Sequence, residues 1–152
     1  MSSPTTTTRP VDLLLIEDQP SDAELALRAL EDLELSGRIQ LVEDGAEALD
    51  FVFGRGDYAH RSVTDGPGLI LLDLKLPKVS GHEVLRELKS DERTRNIPVI
   101  VLSSSKEDRD VERCYEMGVN SYVVKPVDFG QFTETVQCIG TYWLETNEGP
   151  TS

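Results

Sequence analysis

The residues of this sequence that are best suited to chemistry stand directly after aliphatic segments. Asp73 follows LILL at positions 69–72, and burying its carboxylate costs several kcal/mol unless a partner or a metal ion compensates. Glu17 and Asp18 follow VDLLLI in the same way. Ser103 ends PVIVLS, and Lys125 ends SYVVK. Three carboxylates, one hydroxyl and one ammonium group therefore occupy equivalent places in the chain.

The charges of this group predict a magnesium site. Clustered carboxylates repel one another and raise one another's pKa unless a cation lies among them, and oxygen ligands suit Mg²⁺. We predict that Asp18 and Asp73 hold the ion. Glu17 would act through a bound water, and the main-chain carbonyl of Lys75 would supply another ligand.

The same group predicts phosphoryl transfer to Asp73. With its charge partly neutralised, this carboxylate can attack a phosphoryl group in line and form an aspartyl phosphate. The metal and Lys125 would offset charge on the equatorial oxygens, and Ser103 would hydrogen-bond the new phosphoryl group. Taken singly, Asp18 and Asp73 have another interpretation, because aspartate also caps helices.

Five strand-helix units must position these residues. Aliphatic runs alternate with helical patterns at intervals of roughly 30 residues, which is typical of parallel strands joined by right-handed crossovers. We therefore predict a doubly wound α/β fold, a five-stranded parallel sheet with five helices. In such sheets function gathers at the carboxyl ends of the strands. The expected helices contain QPSDAELALRALEDLEL, with Ser21 or Asp22 as N-cap, GAEALDFVF, GHEVLRELKS, EDRDVERCYEM and FGQFTETVQCIGTYWLE.

Composition excludes several classes of partner. The 152 residues carry 28 acidic and 15 basic side chains, a net charge of -13 that repels nucleic acid and anionic membranes. There is no apolar run of about 20 residues and no signal peptide, so we expect a cytoplasmic protein. Cys114 and Cys138 form no CxxC pair, which favours a reducing compartment and two semi-buried thiols.

The chain divides into one folded unit and two short tails. Residues 1–10 are rich in Ser, Thr and Pro and are expected to be disordered. The folded domain is expected to cover residues 11–145, and residues 146–152 form a polar C-terminal tail. We expect no further effector domain, that is, a stand-alone protein.

Four motifs resemble the receiver domain of bacterial response regulators, in order and in spacing, from Val11 to Trp143. They are the acidic pair Glu17 and Asp18 and the segments LLDLKLPKVSG, VLSSS and YVVKP. The resemblance implies the flavodoxin-like receiver fold. It also implies that Asp73 accepts phosphate from the phosphohistidine of a sensor histidine kinase, and that the domain catalyses its own phosphorylation and dephosphorylation without being an enzyme in the usual sense.

The receiver resemblance further implies a conformational switch. Ser103 and Tyr122 would be coupled, with Tyr122 moving inward when Ser103 is drawn toward the phosphoryl group. Such a two-state element would reshape the surface of the fourth helix, fifth strand and fifth helix. Tyr122 taken alone is more typical of a core residue.

A narrower resemblance concerns the small receivers encoded with phytochrome-type, light-sensing kinases. It is carried by the insertion RGDYAHRSVTDGPG, the segment CYEMGVNSYVVKP and the ending TYWLE. It implies a bacterial phytochrome as kinase partner and a homodimer formed through the fourth helix, fifth strand and fifth helix. The candidate interface residues are Phe129, Tyr142 and Trp143, although Trp143 also continues the expected core stripe of Phe132, Val136 and Ile139.

Other functions remain open at this stage. The chain could be a phosphorelay intermediate or a phosphate sink for a kinase that senses something other than light. A haloacid-dehalogenase-like phosphatase also uses a Mg²⁺-bound aspartate, but that family places an acid two residues later, where this chain has Lys75. A pseudo-receiver that never takes phosphate would not need all of these groups. His60 and His82 are interpreted as surface histidines.

Overall fold

The strands and helices alternate along the chain as the sequence predicts. The computed structural model describes residues 11–33 and 38–149, so the expected tail at residues 1–10 and residues 150–152 of the C-terminal tail lie outside the described residues. The described part holds five strands and five α-helices, in this order: β1 (Val11–Ile16), α1 (Pro20–Glu31), β2 (Arg38–Val42), α2 (Gly45–Phe53), β3 (Leu69–Leu72), α3 (Gly81–Ser90), β4 (Val99–Ser103), α4 (Asp108–Glu116), β5 (Ser121–Val124) and α5 (Phe129–Thr141).

The strands form one parallel sheet in the order β2-β1-β3-β4-β5. The chain therefore moves outward from β1 to β2 and then reverses through β3 to β5, which confirms the doubly wound fold. At the reversal, Ile16 of β1 pairs with Leu72 of β3. This pairing brings the carboxyl ends of β1 and β3 side by side, at the place where parallel sheets open a crevice.

The core has two layers, one on each face of the sheet. Successive side chains of a strand point to opposite faces, so neighbouring leucines of β1 and β3 serve different layers. The edge strands β2 and β5 are only partly buried, since each has a neighbour on one side. One layer holds Leu14, Ile16, Ile70, Leu72, Phe51, Val84, Leu88 and Cys114, and the other holds Leu13, Leu15, Leu69, Leu71, Ala26, Leu30, Val136 and Ile139.

The first helix begins earlier than its sequence indicates. Its N-cap is Gln19 and Pro20 is its first residue, so the expectation that Ser21 or Asp22 caps it is wrong. Proline suits the first helical position because the N–H that it lacks would have no partner there. As a result Asp22 lies in the first turn, and its side chain is free to contact another element.

The insertion between α2 and β3 is ordered by one buried arginine. It contains two short 3₁₀ turns, Gly56–Tyr58 and Val63–Asp65. Arg61 is 7% exposed, its Nε donates to the carbonyl oxygen of Phe51 at 3.2 Å, and its guanidinium lies 3.8 Å from the centre of the Phe51 ring. Arg61, in the middle of the insertion, therefore attaches this segment to the core.

The end of the chain departs from the predicted single helix. α5 ends at Thr141 and continues as a π-helical turn, Tyr142–Thr146. The expected stripe of α5 is confirmed for Phe132, Val136 and Ile139, which are buried, and the partly buried Trp143 packs against the same layer. No helix among residues 11–33 and 38–149 has the length and apolar character needed to cross a membrane.

The expectation of two semi-buried thiols is wrong, because neither thiol is semi-buried. Cys114 is the fully buried residue of α4, and Cys138 is exposed on α5. Burial raises the pKa of the Cys114 thiol to about 11, which keeps it protonated at neutral pH.

Candidate functional site

The three predicted carboxylates meet at the carboxyl ends of β1 and β3. The backbone N–H of Asp73 donates to the carbonyl oxygen of Ile16 at 3.1 Å, so the loop after β3 stays joined to β1. Glu17, Asp18 and Asp73 each place one carboxylate oxygen within 4.8 Å of the others. The structure thus brings together the three acids that the strand ends predicted.

Lys125, the residue directly after β5, completes the cluster. Its backbone N–H donates to the carbonyl oxygen of Ser103 at 2.8 Å, which fixes the residue at the end of the sheet. Its Nζ donates to Glu17 Oε1 at 2.8 Å, to Asp73 Oδ2 at 3.2 Å and to Asp22 Oδ2 at 2.9 Å. Sequence reasoning missed Asp22, because it considered this residue only as a helix cap.

Burial and the neighbouring charges have opposite effects on the pKa values of Glu17 and Lys125, which form an ion pair. Burial raises the pKa of Glu17 to about 7, although the hydrogen bond from Lys125 opposes this rise. Burial alone would lower the pKa of Lys125, but the hydrogen bond to Glu17 and the charge of Asp73 raise it above its ordinary value. Lys125 therefore remains an ammonium ion, and Glu17 without a metal ion is a weaker acid than an exposed glutamate.

The residues present fit a divalent cation. Asp18 Oδ1 is buried and has no hydrogen-bond partner within the described part of the chain. It lies in a group of carboxylate oxygens, which are the ligands preferred by hard cations such as Mg²⁺. Lys75 stands at the rim, where its backbone N–H donates to Asp73 Oδ1 at 3.2 Å and its side chain is exposed.

A glycine allows the loop after Asp73 to fold back on itself. The N–H of Gly81 donates to the carbonyl oxygen of Leu74 at 2.9 Å. A Cβ on Gly81 would lie 2.4 Å from both the Asp73 carbonyl oxygen and Leu74 Cα, closer than side-chain carbons approach backbone. The start of α3 can therefore pack against the loop after Asp73 only because Gly81 has no side chain.

The two expected switch residues are linked through Ser105. Ser103, fully buried at the end of β4, accepts a hydrogen bond at Oγ from the N–H of Ser105 at 3.2 Å. The hydroxyl of Tyr122 on β5 donates to the carbonyl oxygen of Ser105 at 2.9 Å. Ser105 Oγ in turn donates to Asp110 Oδ2 at 2.6 Å, so the loop after β4 also holds α4.

His82 does not lie on the surface as predicted, whereas His60 is exposed. The His82 side chain is 14% exposed, and its Nε2 lies 3.6 Å from Asp110 Oδ1 across the gap between α3 and α4. That nitrogen is buried and has no hydrogen-bond partner among the described residues. Burial lowers the pKa of His82, so the folded protein favours the neutral imidazole.

We predict that His82 makes the protein less stable in mild acid. Because its pKa is lower in the folded state, the unfolded chain takes up the proton first as the pH falls below about 6.5. The free energy of unfolding should therefore fall more steeply between pH 7 and pH 5 in the wild type than in His82→Leu. Urea unfolding at several pH values measures this difference. The exposed His60→Leu is the control and should follow the wild type, and equal slopes for all three proteins would contradict the prediction.

The three candidate interface residues do not form one patch. Phe129 is 73% exposed and Tyr142 is 49% exposed. They lie at opposite ends of α5, about 20 Å apart at the rise of an α-helix. Trp143 packs against the core, and its ring meets that of Tyr142 edge to face with centres 5.2 Å apart.

Comparison with known proteins adds a family profile and two relatives to this geometry. The sequence profile of the response regulator receiver domain matches residues 13–137. The probable methanogenesis regulatory protein FilR2 of Methanothrix harundinacea is 45% identical over 141 residues, which cover 93% of this chain and 88% of the relative. Response regulator Rcp1 of Synechocystis is 37% identical over 137 residues, covering 90% of this chain and 91% of the relative.

Two crystal structures have closely similar folds. The Mn²⁺-bound form of Rcp1 superimposes with a TM-score of 0.86 at 37% identity and covers 93% of this chain and 100% of its own. The phosphorylated cyanobacterial phytochrome response regulator RcpA gives a TM-score of 0.86 at 38% identity, covering 93% of this chain and 99% of its own.

Proposed function

The chain belongs to the response regulator receiver family, and on that premise we propose that its switch is set by phosphorylation of Asp73. One observation carries the proposal. Asp73 is 6% exposed at the carboxyl end of the sheet, where two further carboxylates and the ammonium group of Lys125 surround it. A carboxylate in that position is both a nucleophile and part of a cation site, which is the combination that aspartyl phosphorylation needs.

The chain's own groups account for the transfer. A carboxylate oxygen of Asp73 attacks phosphorus and forms the new O–P bond, while the N–P bond of the donor phosphohistidine breaks and its electron pair returns to the imidazole. Lys125, whose Nζ already points at Asp73, donates to the oxygens on which charge develops. Glu17, Asp18 and Asp73 would hold Mg²⁺, with the carbonyl of Lys75 as a further ligand, and the ion would supply charge neutralisation. We propose that the same groups also promote hydrolysis of the phosphoryl group.

The proposed switch runs through the loop after β4. Ser103 would hydrogen-bond the phosphoryl group, and Ser103 is tied to Tyr122 through Ser105. Because Ser105 also holds Asp110, a movement of this loop displaces α4 as well as Tyr122. The output would be a change in the surface of α4, β5 and α5.

We propose a bacterial phytochrome as the kinase partner. RcpA, which is 38% identical over 93% of this chain, is a phytochrome response regulator. FilR2, which is 45% identical, is named for methanogenesis. This name favours the second candidate, a receiver or phosphorelay intermediate for a kinase that does not sense light.

Phosphoryl transfer to this protein from an autophosphorylated phytochrome should be at least about tenfold faster than transfer from a non-photosensory histidine kinase. Equal transfer rates would favour the second candidate.

The first experiment for the whole proposal is incubation with Mg²⁺ and acetyl phosphate, followed by intact-mass analysis. An adduct of about 80 Da, the mass of one PO₃H group, should form with Mg²⁺ and be absent with a chelator. If no adduct forms, a titration with beryllofluoride separates the alternatives. Mg²⁺-dependent binding of beryllofluoride would indicate a short-lived phosphoryl group, and no binding would indicate a docking module and overturn the proposal.

We further propose a homodimer through α4, β5 and α5. The large apolar side chains that are most exposed in the described ranges all lie on this surface or beside it, namely Tyr115, Val127, Phe129 and Tyr142. Exposed large apolar side chains are typical of interaction surfaces, and these four belong to α4 and α5 or adjoin them.

Sedimentation velocity tests the dimer. We predict that Phe129→Ser together with Tyr142→Ser shifts the wild-type dimer to a monomer without loss of folding, because both side chains are exposed. Trp143 is left unchanged since it packs against the core. The exposed His60→Ser is the control. An unchanged sedimentation coefficient for the double variant would contradict this interface.

A further inference from the structure

The hydrogen-bonding capacity of Lys125 is completely used. An ammonium group has three N–H donors, and the three acceptors are carboxylates of Glu17, Asp22 and Asp73, at 2.8, 2.9 and 3.2 Å. The Lys125 side chain is 10% exposed, so these bonds are formed in a largely desolvated place. The bond to Asp73 is the longest of the three.

The three acceptors differ in what else they can bind. Glu17 and Asp73 belong, with Asp18, to the group of oxygens that fits a divalent cation. Asp22 does not belong to that group. It lies in the first turn of α1, and its side chain is 33% exposed against 5% for Glu17 and 7% for Asp73.

These differences matter because two cations compete for the same carboxylates. An ammonium group and a divalent ion that share an acceptor repel each other, and the repulsion is strong where water is scarce. When Glu17 and Asp73 serve a metal ion, Asp22 is the acceptor that remains available to Lys125. Its position in the first turn of α1 also suits a negative charge, since the positive end of the helix dipole lies there.

We propose that Asp22 is a positioning residue that anchors Lys125 and so keeps its ammonium group from competing with the metal ion for Glu17 and Asp73. This inference rests on the proposed function and concerns the same site. Without Asp22, Lys125 must place its donors on Glu17 and Asp73 alone, and the oxygens needed by the ion are then occupied by a competing cation.

Calorimetric titration of the metal-free protein with Mg²⁺ tests the proposal. Asp22→Asn removes the charge of the acceptor but keeps its shape, and we expect it to weaken Mg²⁺ binding about five- to tenfold. The control is Glu24→Gln, which removes one negative charge from the same helix. Glu24 is exposed and pairs with Arg28, so Mg²⁺ binding by this variant should stay within about twofold of the wild type.

A double-mutant cycle separates anchoring from a simple loss of negative charge. If Asp22 acts through Lys125, Asp22→Asn should change Mg²⁺ binding by less than about twofold when Lys125→Met is already present. Equal weakening in both backgrounds would show a long-range charge effect and overturn the proposal, as would no weakening in the wild-type background.

A second measurement does not depend on the folding of Lys125→Met. In the Mg²⁺-saturated protein, hydrogen exchange of the Lys125 ammonium group should be at least about tenfold faster in Asp22→Asn than in the wild type, because the charged acceptor is replaced by a weaker neutral amide. Equal exchange rates would overturn the proposal. Failure of the proposed function would give a different result. If the wild-type protein binds Mg²⁺ but neither forms an adduct with acetyl phosphate nor binds beryllofluoride, phosphorylation of Asp73 is refuted. The Mg²⁺ titration and the hydrogen-exchange measurement would still test the role of Asp22.

Discussion

Replacing Asp73 with asparagine is expected to abolish Mg²⁺-dependent phosphorylation. The amide nitrogen and oxygen of asparagine lack the negative charge of the attacking carboxylate, so we expect the adduct of about 80 Da to disappear, a loss of at least about 1000-fold in rate. The buried position of Asp73 at the centre of the cluster makes a substitute nucleophile hard to place.

The asparagine variant should nevertheless remain folded. The amide would keep the shape of the carboxylate that it replaces and would remove one of three like charges that lie close together. We therefore expect the free energy of unfolding of metal-free Asp73→Asn to stay within about 1 kcal/mol of the wild type. Intact-mass analysis after incubation with acetyl phosphate, together with urea unfolding, measures both effects.

Asp57→Asn is the matched control for this experiment. Asp57 is exposed in the insertion, in the 3₁₀ turn Gly56–Tyr58, and this variant should take up phosphate at the wild-type rate. An adduct that persisted in Asp73→Asn at the same rate would place the phosphoryl group on another residue. Such a result would refute the proposed role of Asp73 while leaving the family assignment unchanged.

Replacing Lys125 with methionine should have the second largest effect, and it should act on both rate and stability. Methionine keeps much of the length and apolar body of the side chain but loses the ammonium group that donates to Asp73. Removing a preorganised donor from developing charge typically costs about 100-fold or more, so we expect phosphorylation to slow by at least about 100-fold.

The stability effect follows from the charges that Lys125 leaves behind. Glu17 and Asp73 would lose the ammonium group in a place where their side chains are 5% and 7% exposed, and the metal-free variant should be less stable by roughly 2 kcal/mol at pH 8. The difference from the wild type should shrink toward pH 5, because burial raises the pKa of Glu17 and its protonation removes a negative charge that Lys125 compensates. Millimolar Mg²⁺ should restore stability at pH 8, since a bound cation replaces the lost charge.

Lys78→Met provides the control for the loss of a lysine. The Lys78 side chain is 70% exposed and contacts Asp44 instead of the acidic cluster, so this variant should match the wild type in phosphorylation rate and in its response to Mg²⁺. If Lys125→Met is as stable as the wild type at pH 8 without Mg²⁺, the carboxylates do not need the ammonium group, and the electrostatic account of the site is wrong.

The main features of the fold were predictable because they follow from simple periodic patterns. The aliphatic runs that end at Ile16, Leu72 and Ser103 are strands, and a parallel sheet gathers their carboxyl ends at one edge. The position of each acid immediately after its strand was therefore enough to predict that Glu17, Asp18 and Asp73 would meet.

What the sequence did not reveal are contacts between side chains of distant elements. Asp22 contacts Lys125, which lies 103 positions later in the chain. This contact depends on where α1 starts, and the observed start is two or three residues earlier than predicted, with Pro20 as the first helical residue. His82 is partly buried and lies beside Asp110 of α4, and no local pattern around a polar helix start indicates such a neighbour. Tyr122 and Ser105 are linked through a backbone carbonyl, which the identities of the two residues do not show.

Because Arg61 is buried, the insertion between α2 and β3 is more ordered than its length suggests. A chain segment of this kind usually samples many conformations and loses that freedom when another molecule binds it. Here the guanidinium lies over the Phe51 ring, with one 3₁₀ turn before it and another after it, so much of that freedom is already lost in the isolated protein. A molecule that contacts this segment therefore meets an ordered surface, and little conformational entropy remains to be lost on binding.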